Sequence, residues 1–96
     1  MRIYKVEPNK YGYEKDIENC LESLQMEVKG YIETAQVTDS IVAIFDEEGR
    51  LKDLEDNLVI PHYGVIKGNV IFVRDNGEGD FESLTEQDLE VLKNWY

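Results

Sequence analysis

The chain has 96 residues, and its 21 acidic side chains against 10 basic ones give a formal net charge of −11 and a pI near 4.4. A surface so acidic repels a phosphate backbone, whose binding needs clustered Lys and Arg, so no direct nucleic-acid binding is expected. No apolar run approaches the roughly 20 residues that cross a bilayer, Met1-Arg2-Ile3-Tyr4-Lys5 lacks the apolar core of a signal peptide, and a lone Cys20 calls for no oxidising compartment. The expectation is one cytoplasmic domain spanning residues 1–96 with no membrane contact.

Arg2 to Glu7 reads as a first strand, stopped by Pro8-Asn9, which lies at a sheet edge or pairs late because its alternation is poor. From Glu14 to Lys29, the positions Ile17, Cys20, Leu21, Leu24 and Val28 recur at steps of three and four, which predicts an amphipathic helix ending at Gly30. On this reading Cys20 is a buried helix residue. Tyr31 to Val37 and Ile41 to Phe45 predict two strands, and the short link Thr38-Asp39-Ser40 makes them an antiparallel hairpin. Ile41-Val42-Ala43-Ile44-Phe45 has no polar alternation, so it should be covered on both faces.

Leu51, Leu54 and Leu58 suggest an irregular or single-turn segment ended by Pro61. Tyr63 to Arg74 predicts the next strand region, where Gly68 marks a bulge or close backbone approach. Asp75-Asn76-Gly77-Glu78-Gly79-Asp80 is a polar loop. A last helix, about 85–95, starts at Thr85 with Asp88 as its capping-box partner and Leu84 stapled to Leu89; Leu89, Leu92 and Trp95 are expected to face the sheet. The predicted fold is α+β: a small, mostly antiparallel sheet of four to five strands, with one helix at about 14–29 and another at the C-terminus.

Catalytic chemistry finds little support in the residues. A general base needs a nucleophile within hydrogen-bond reach, and the single His62 and single Cys20 form no motif, so His62 is read as a turn histidine. Gly77 and Gly79 fall where a calcium loop needs ligands, and the same stretch offers acids where a phosphate cradle needs Lys. No enzyme, cofactor or metal is expected.

Charge placement is more informative. Asp75, Glu78, Asp80, Glu82, Glu86, Asp88 and Glu90 supply seven acids with no basic residue between them. Carboxylates so spaced can imitate phosphates to a partner with a basic groove. Six tyrosines also favour contacts, although a place at the rim of a small core accounts for most of them. A different class of ligand, a nucleotide signal, would need stacking by Tyr31 or Tyr63 and cationic anchors from Arg2, Lys5, Arg50, Lys67 and Arg74.

Two segments resemble a known family. Leu24-Gln25 with Val28, Gly30-Tyr31-Ile32-Glu33, Ile41-Val42, Asp46-Glu47-Glu48-Gly49-Arg50-Leu51 and Asn57 are similar to the core pattern of small proteins from phages, prophages and conjugative elements, catalogued only as a domain of unknown function. Ile66-Lys67-Gly68-Asn69-Val70-Ile71-Phe72-Val73 and Gly79-Asp80-Phe81-Glu82-Ser83-Leu84-Thr85 resemble its closing strand and final helix. The link from Asn57 to Tyr63, with Pro61-His62, is shorter than that pattern.

The family lends no catalytic residue. It implies a non-enzymatic accessory protein of the host cytoplasm that counteracts host defence by binding a defence protein with a basic surface, such as an RNA-guided nuclease. The alternative is a sponge for a nucleotide immune signal; a second alternative is a protein-interaction module of unknown role. The edge of so small a sheet also allows a homodimer.

Overall fold

The two apolar runs of the sequence lie side by side at the centre of the molecule. Ile41–Asp46 and Val70–Asp75 pair antiparallel, Ile44 against Ile71 and Phe45 against Val70. Six-residue stretches of this kind hide both faces, and every residue of Ile41–Asp46 is buried. The computed structural model describes residues Met1–Tyr96.

In chain order the elements are β1 (Arg2–Val6), β2 (Tyr13–Asp16), α1 (Leu21–Val28), β3 (Ile32–Gln36), β4 (Ile41–Asp46), β5 (Asp56–Ile60), β6 (Gly64–Lys67), β7 (Val70–Asp75), β8 (Phe81–Glu82) and α2 (Glu86–Trp95). The main sheet runs β2-β1-β7-β4-β3, with β8 joined to β7; β5 and β6 form a separate hairpin, and all pairings are antiparallel. The α+β class and the C-terminal helix are as expected; the main sheet has six strands where four to five were expected.

Strand alternation sorts the core into two layers. Ile3, Val42, Ile44, Ile71 and Val73 face α1 and meet Leu24 and Val28. Tyr4, Ala43, Phe45 and Phe72 face the other way, toward Ile60 and Ile66 of the β5–β6 hairpin and Leu89 and Leu92 of α2. Tyr96 closes this layer by stacking on Phe72, with ring centroids 5.1 Å apart. Its phenol donates to the Val59 carbonyl.

Several expectations are corrected, beginning at the N-terminus. β1 is internal, lying between β2 and β7, because Tyr13–Asp16 is itself a strand that forms the edge. Backbone pairing with β1 places that polar segment, and it leaves the predicted helix only Leu21–Val28. Cys20 is consequently an exposed N-cap residue and Leu21 is exposed, so Leu24 and Val28 alone of the predicted stripe are buried. The helix stops one residue early, at Lys29 with φ 62°, where Gly30 was expected to end it.

Near the middle, Leu58 and Ile60 belong to β5, which turns through Pro61-His62-Tyr63 into β6. His62 takes the left-handed turn conformation, φ 68°. The predicted strand from Tyr63 to Arg74 is two strands broken at Gly68, whose φ of 81° and close approach to Leu54 suit glycine. At the C-terminus Trp95 is 54% exposed, and Tyr96 takes the inward place assigned to it.

Gly30 lets α1 reach the end of β4. A Cβ there would stand 2.6 Å from a carboxylate oxygen of Asp46. That carboxylate cannot retreat, since it accepts from Lys52 Nζ at 2.7 Å and from the Glu48 N–H at 2.8 Å. We expect Gly30→Ala to lower the unfolding free energy by about 1–3 kcal/mol, the usual cost of forcing extra atoms into a packed site. Urea unfolding checks this, and an unchanged midpoint would show that α1 has room to shift.

Candidate functional site

β7, the polar loop after it, β8 and the start of α2 turn back on one another. Arg74 pairs with Glu82 and Asp75 with Phe81 across the β7–β8 ladder. The loop between them is closed by its own side chains: Asp75 accepts from the Gly77 N–H, and Asn76 accepts from Glu78 and Asp80. Glycine suits the loop at positions 77 and 79, where φ is 82° and 90°.

Past β8, Thr85 caps α2. Its hydroxyl accepts from the Asp88 N–H at 3.1 Å while the Asp88 carboxylate accepts from the Thr85 N–H at 2.9 Å, the capping box expected from the sequence. Leu84 and Leu89 are buried in one cluster on either side of it.

Asp88 is the correction here. Both its oxygens accept from Arg74 Nη1 at 2.8 Å, and its side chain is 9% exposed. Burial works to raise its pKa, but the hydrogen bonds from Thr85 and Arg74 outweigh that and hold it below the ordinary aspartate value. It is an internal anchor and not part of a displayed face.

Five of the seven acids, Glu78, Asp80, Glu82, Glu86 and Glu90, remain exposed, and Asp75 is partly so. Two cations, Arg2 and Lys93, stand near Glu86. Arg2 lies 3.4 Å from Glu86, and also near Glu14 and Asp16 of β2. Sequence reasoning missed these two acids because it placed them on a helix. Glu14 in turn accepts from Lys93 at 2.7 Å, and this bond holds the Glu14 pKa below its usual value. The acidic end is therefore continuous in space with the β2 edge, although far from it in sequence.

The residues considered for a nucleotide are divided among different places. Arg50, Tyr63 and Lys67 line one cleft of about 160 Å³, together with Glu33, Asp46 and Glu47. Drug-sized ligands ordinarily fill roughly 300–1,000 Å³, and Lys67 is already paired with Asp56 at 2.6 Å. Tyr63 packs edge-on against Phe45, centroids 5.1 Å apart, and donates to Glu33. Tyr31 borders a separate depression near Met26 and Lys52. Arg74 is held by Asp88, Arg2 by acids, and Lys5 by Glu27.

Elsewhere, no group of three or more His, Cys, Asp or Glu side chains is arranged to hold a metal ion. No helix is long and apolar enough to cross a membrane. No curated protein and no solved structure matches the chain. The family described as "Domain of unknown function (DUF3846)" matches residues 1–96, and the chain belongs to it.

Proposed function

We propose that this protein acts by adhesion: its acidic end occupies the basic groove of a larger protein and so inhibits it. The carrying observation is that Glu78, Asp80, Glu82, Glu86 and Glu90 are exposed around one loop and helix start, while Arg74 is consumed internally by Asp88. A groove lined with Lys and Arg meets carboxylates there, with only Arg2 and Lys93 close enough to Glu86 to neutralise them in part. The partner that this chemistry suits is a defence protein of the host cell whose channel holds nucleic acid, an RNA-guided nuclease among them. The small, highly acidic chain fits an accessory protein of a phage or mobile element.

The test is cleavage of DNA by such a nuclease with the wild-type chain and with a variant carrying Lys at Glu78, Asp80, Glu82 and Glu86. Exposed pairs are worth about 0.2–1 kcal/mol each, so losing four of them should weaken inhibition roughly 4- to 900-fold. Inhibition by the wild type should also fall steeply as salt rises, since the screening length is about 8 Å at physiological ionic strength. Undiminished inhibition by the lysine variant would remove the acidic end from the interaction.

A further inference from the structure

The outer edge of β3 is unpaired, and Glu33 is the one charged side chain along it. Its ladder to β4 extends at both ends: Glu47 N–H donates to the Tyr31 carbonyl, and Val37 N–H donates to the Ile41 carbonyl. Antiparallel alternation then turns the backbone groups of residues 31, 33, 35 and 37 toward β4, and those of Ile32, Thr34 and Gln36 outward. Tyr31-Ile32-Glu33-Thr34-Ala35-Gln36-Val37 contains no Pro, no Lys and no bulge. The opposite edge, β2, presents Glu14, Lys15 and Asp16.

We infer that a second copy of this chain pairs with this edge, β3 antiparallel to β3, about a twofold axis at Thr34. This register overlaps the whole stretch 31–37 and makes hydrogen-bonded pairs of Ile32 with the partner's Gln36 and of Thr34 with the partner's Thr34. It forms about six new N–H···O bonds. On the face toward α1, Ile32 lies beside the partner's Gln36. Exposed Tyr31 lies beside the partner's Val37, an aromatic and β-branched pair, and on the face away from α1 Glu33 lies opposite the partner's Ala35. A shift of one residue toward the N-terminus would set Glu33 against the partner's Glu33, two like charges face to face. The register at Thr34 avoids that contact, and the result is a continuous sheet with both copies of α1 on the same side.

Two chains of charge −11 repel each other, so this contact should strengthen with salt. That is opposite to the behaviour expected of the acidic end, and the two interactions fail independently. Sedimentation equilibrium should show the dimer fraction rising between about 10 µM and 1 mM chain, the range of a small transient interface, and rising further in about 0.5 M NaCl. In hydrogen exchange the amides of Ile32, Thr34 and Gln36 should gain protection at high concentration.

Thr34→Pro removes an outward N–H without breaking the ladder to β4, and should leave a folded monomer. Thr34→Lys sets two ammonium groups together on the axis and should weaken association by up to about fivefold; it serves as the second variant if the proline prevents folding. A wild-type chain that stays monomeric at about 1 mM in high salt overturns the inference. So does a Thr34→Pro or Thr34→Lys variant that associates as well as the wild type.

Discussion

Replacing Asp88 by Ala should lower Tm by about 10–20 °C, because one carboxylate performs two tasks. It caps α2 by accepting from the Thr85 N–H, and it answers the guanidinium of Arg74. Loss of a cap costs about 1 kcal/mol, and breaking a buried pair about 3–5 kcal/mol when the remaining charge stays out of water. Arg74 is 32% exposed and can recover part of its hydration, so about 2–4 kcal/mol is expected in all. With 96 residues, unfolding entropy of about 2.1 cal/mol/K per residue makes each kcal/mol worth roughly 5 °C in Tm. Thr85→Ala, which removes only the hydroxyl side of the box, should cost about 1 kcal/mol. If calorimetry shows Asp88→Ala no worse than Thr85→Ala, the Arg74 pair contributes nothing.

The second large effect concerns Glu27, which holds two lysines beneath α1. Its carboxylate accepts from Lys5 at 2.8 Å and from Lys15 at 2.9 Å, with the Glu27 and Lys5 side chains only 12% and 10% exposed. Glu27→Gln leaves Lys5 as a buried cation facing a neutral amide. The expected loss is about 3–5 kcal/mol, a large fraction of the roughly 5–15 kcal/mol that a domain of this kind has in total. Removing both charges, as Lys5→Met with Glu27→Gln, should recover most of it, since a buried pair stabilises little over apolar packing of similar shape. A double mutant no more stable than Glu27→Gln alone would place the loss in helix packing instead of the stranded charge.

Both carboxylates impose the same acid limit. Burial works to raise the Glu27 pKa, yet hydrogen bonds from Lys5 and Lys15 outweigh it, and the net shift is downward from 4.5; Asp88 is likewise shifted down from 3.8. A folded pKa below the unfolded one gives stability that is present above the unfolded value and lost as pH falls through the folded value. Unfolding by urea at pH 7 and at progressively lower pH should therefore show stability falling below about pH 4.5, and Glu27→Gln with Lys5→Met should flatten that fall.

These effects separate what local pattern encodes from what assembly adds. Ile41–Asp46 announces itself as a buried strand because its apolar side chains carry the signal without help from neighbours, whereas Val70–Asp75 reads only as part of one strand from Tyr63 to Arg74. Thr85 and Asp88 are equally legible, since a capping box is completed within four residues. The acidic run is read directly from the chain, while its thinning by Asp88 is not, because the bond to Arg74 spans fourteen positions and depends on β7 meeting α2.

Tyr13–Asp16 escapes sequence reading for a related reason. A polar edge strand buries little, and only pairing with β1 gives it form. The apparent helical spacing of Ile17, Cys20 and Leu21 then belongs to residues before and at the start of α1, two of them exposed. Lys5, Lys15 and Glu27 look like ordinary surface charges until β1, β2 and α1 close over them.

By itself, then, the sequence determined the α+β class, the doubly covered centre, the final helix and the density of negative charge, all of which rest on side chains within a few residues of one another. Tertiary structure alone decided which charges are spent inside, which strands form the edges, and where Arg2, Glu14 and Glu86 meet, because those outcomes depend on backbone pairing and desolvation between segments distant in the chain.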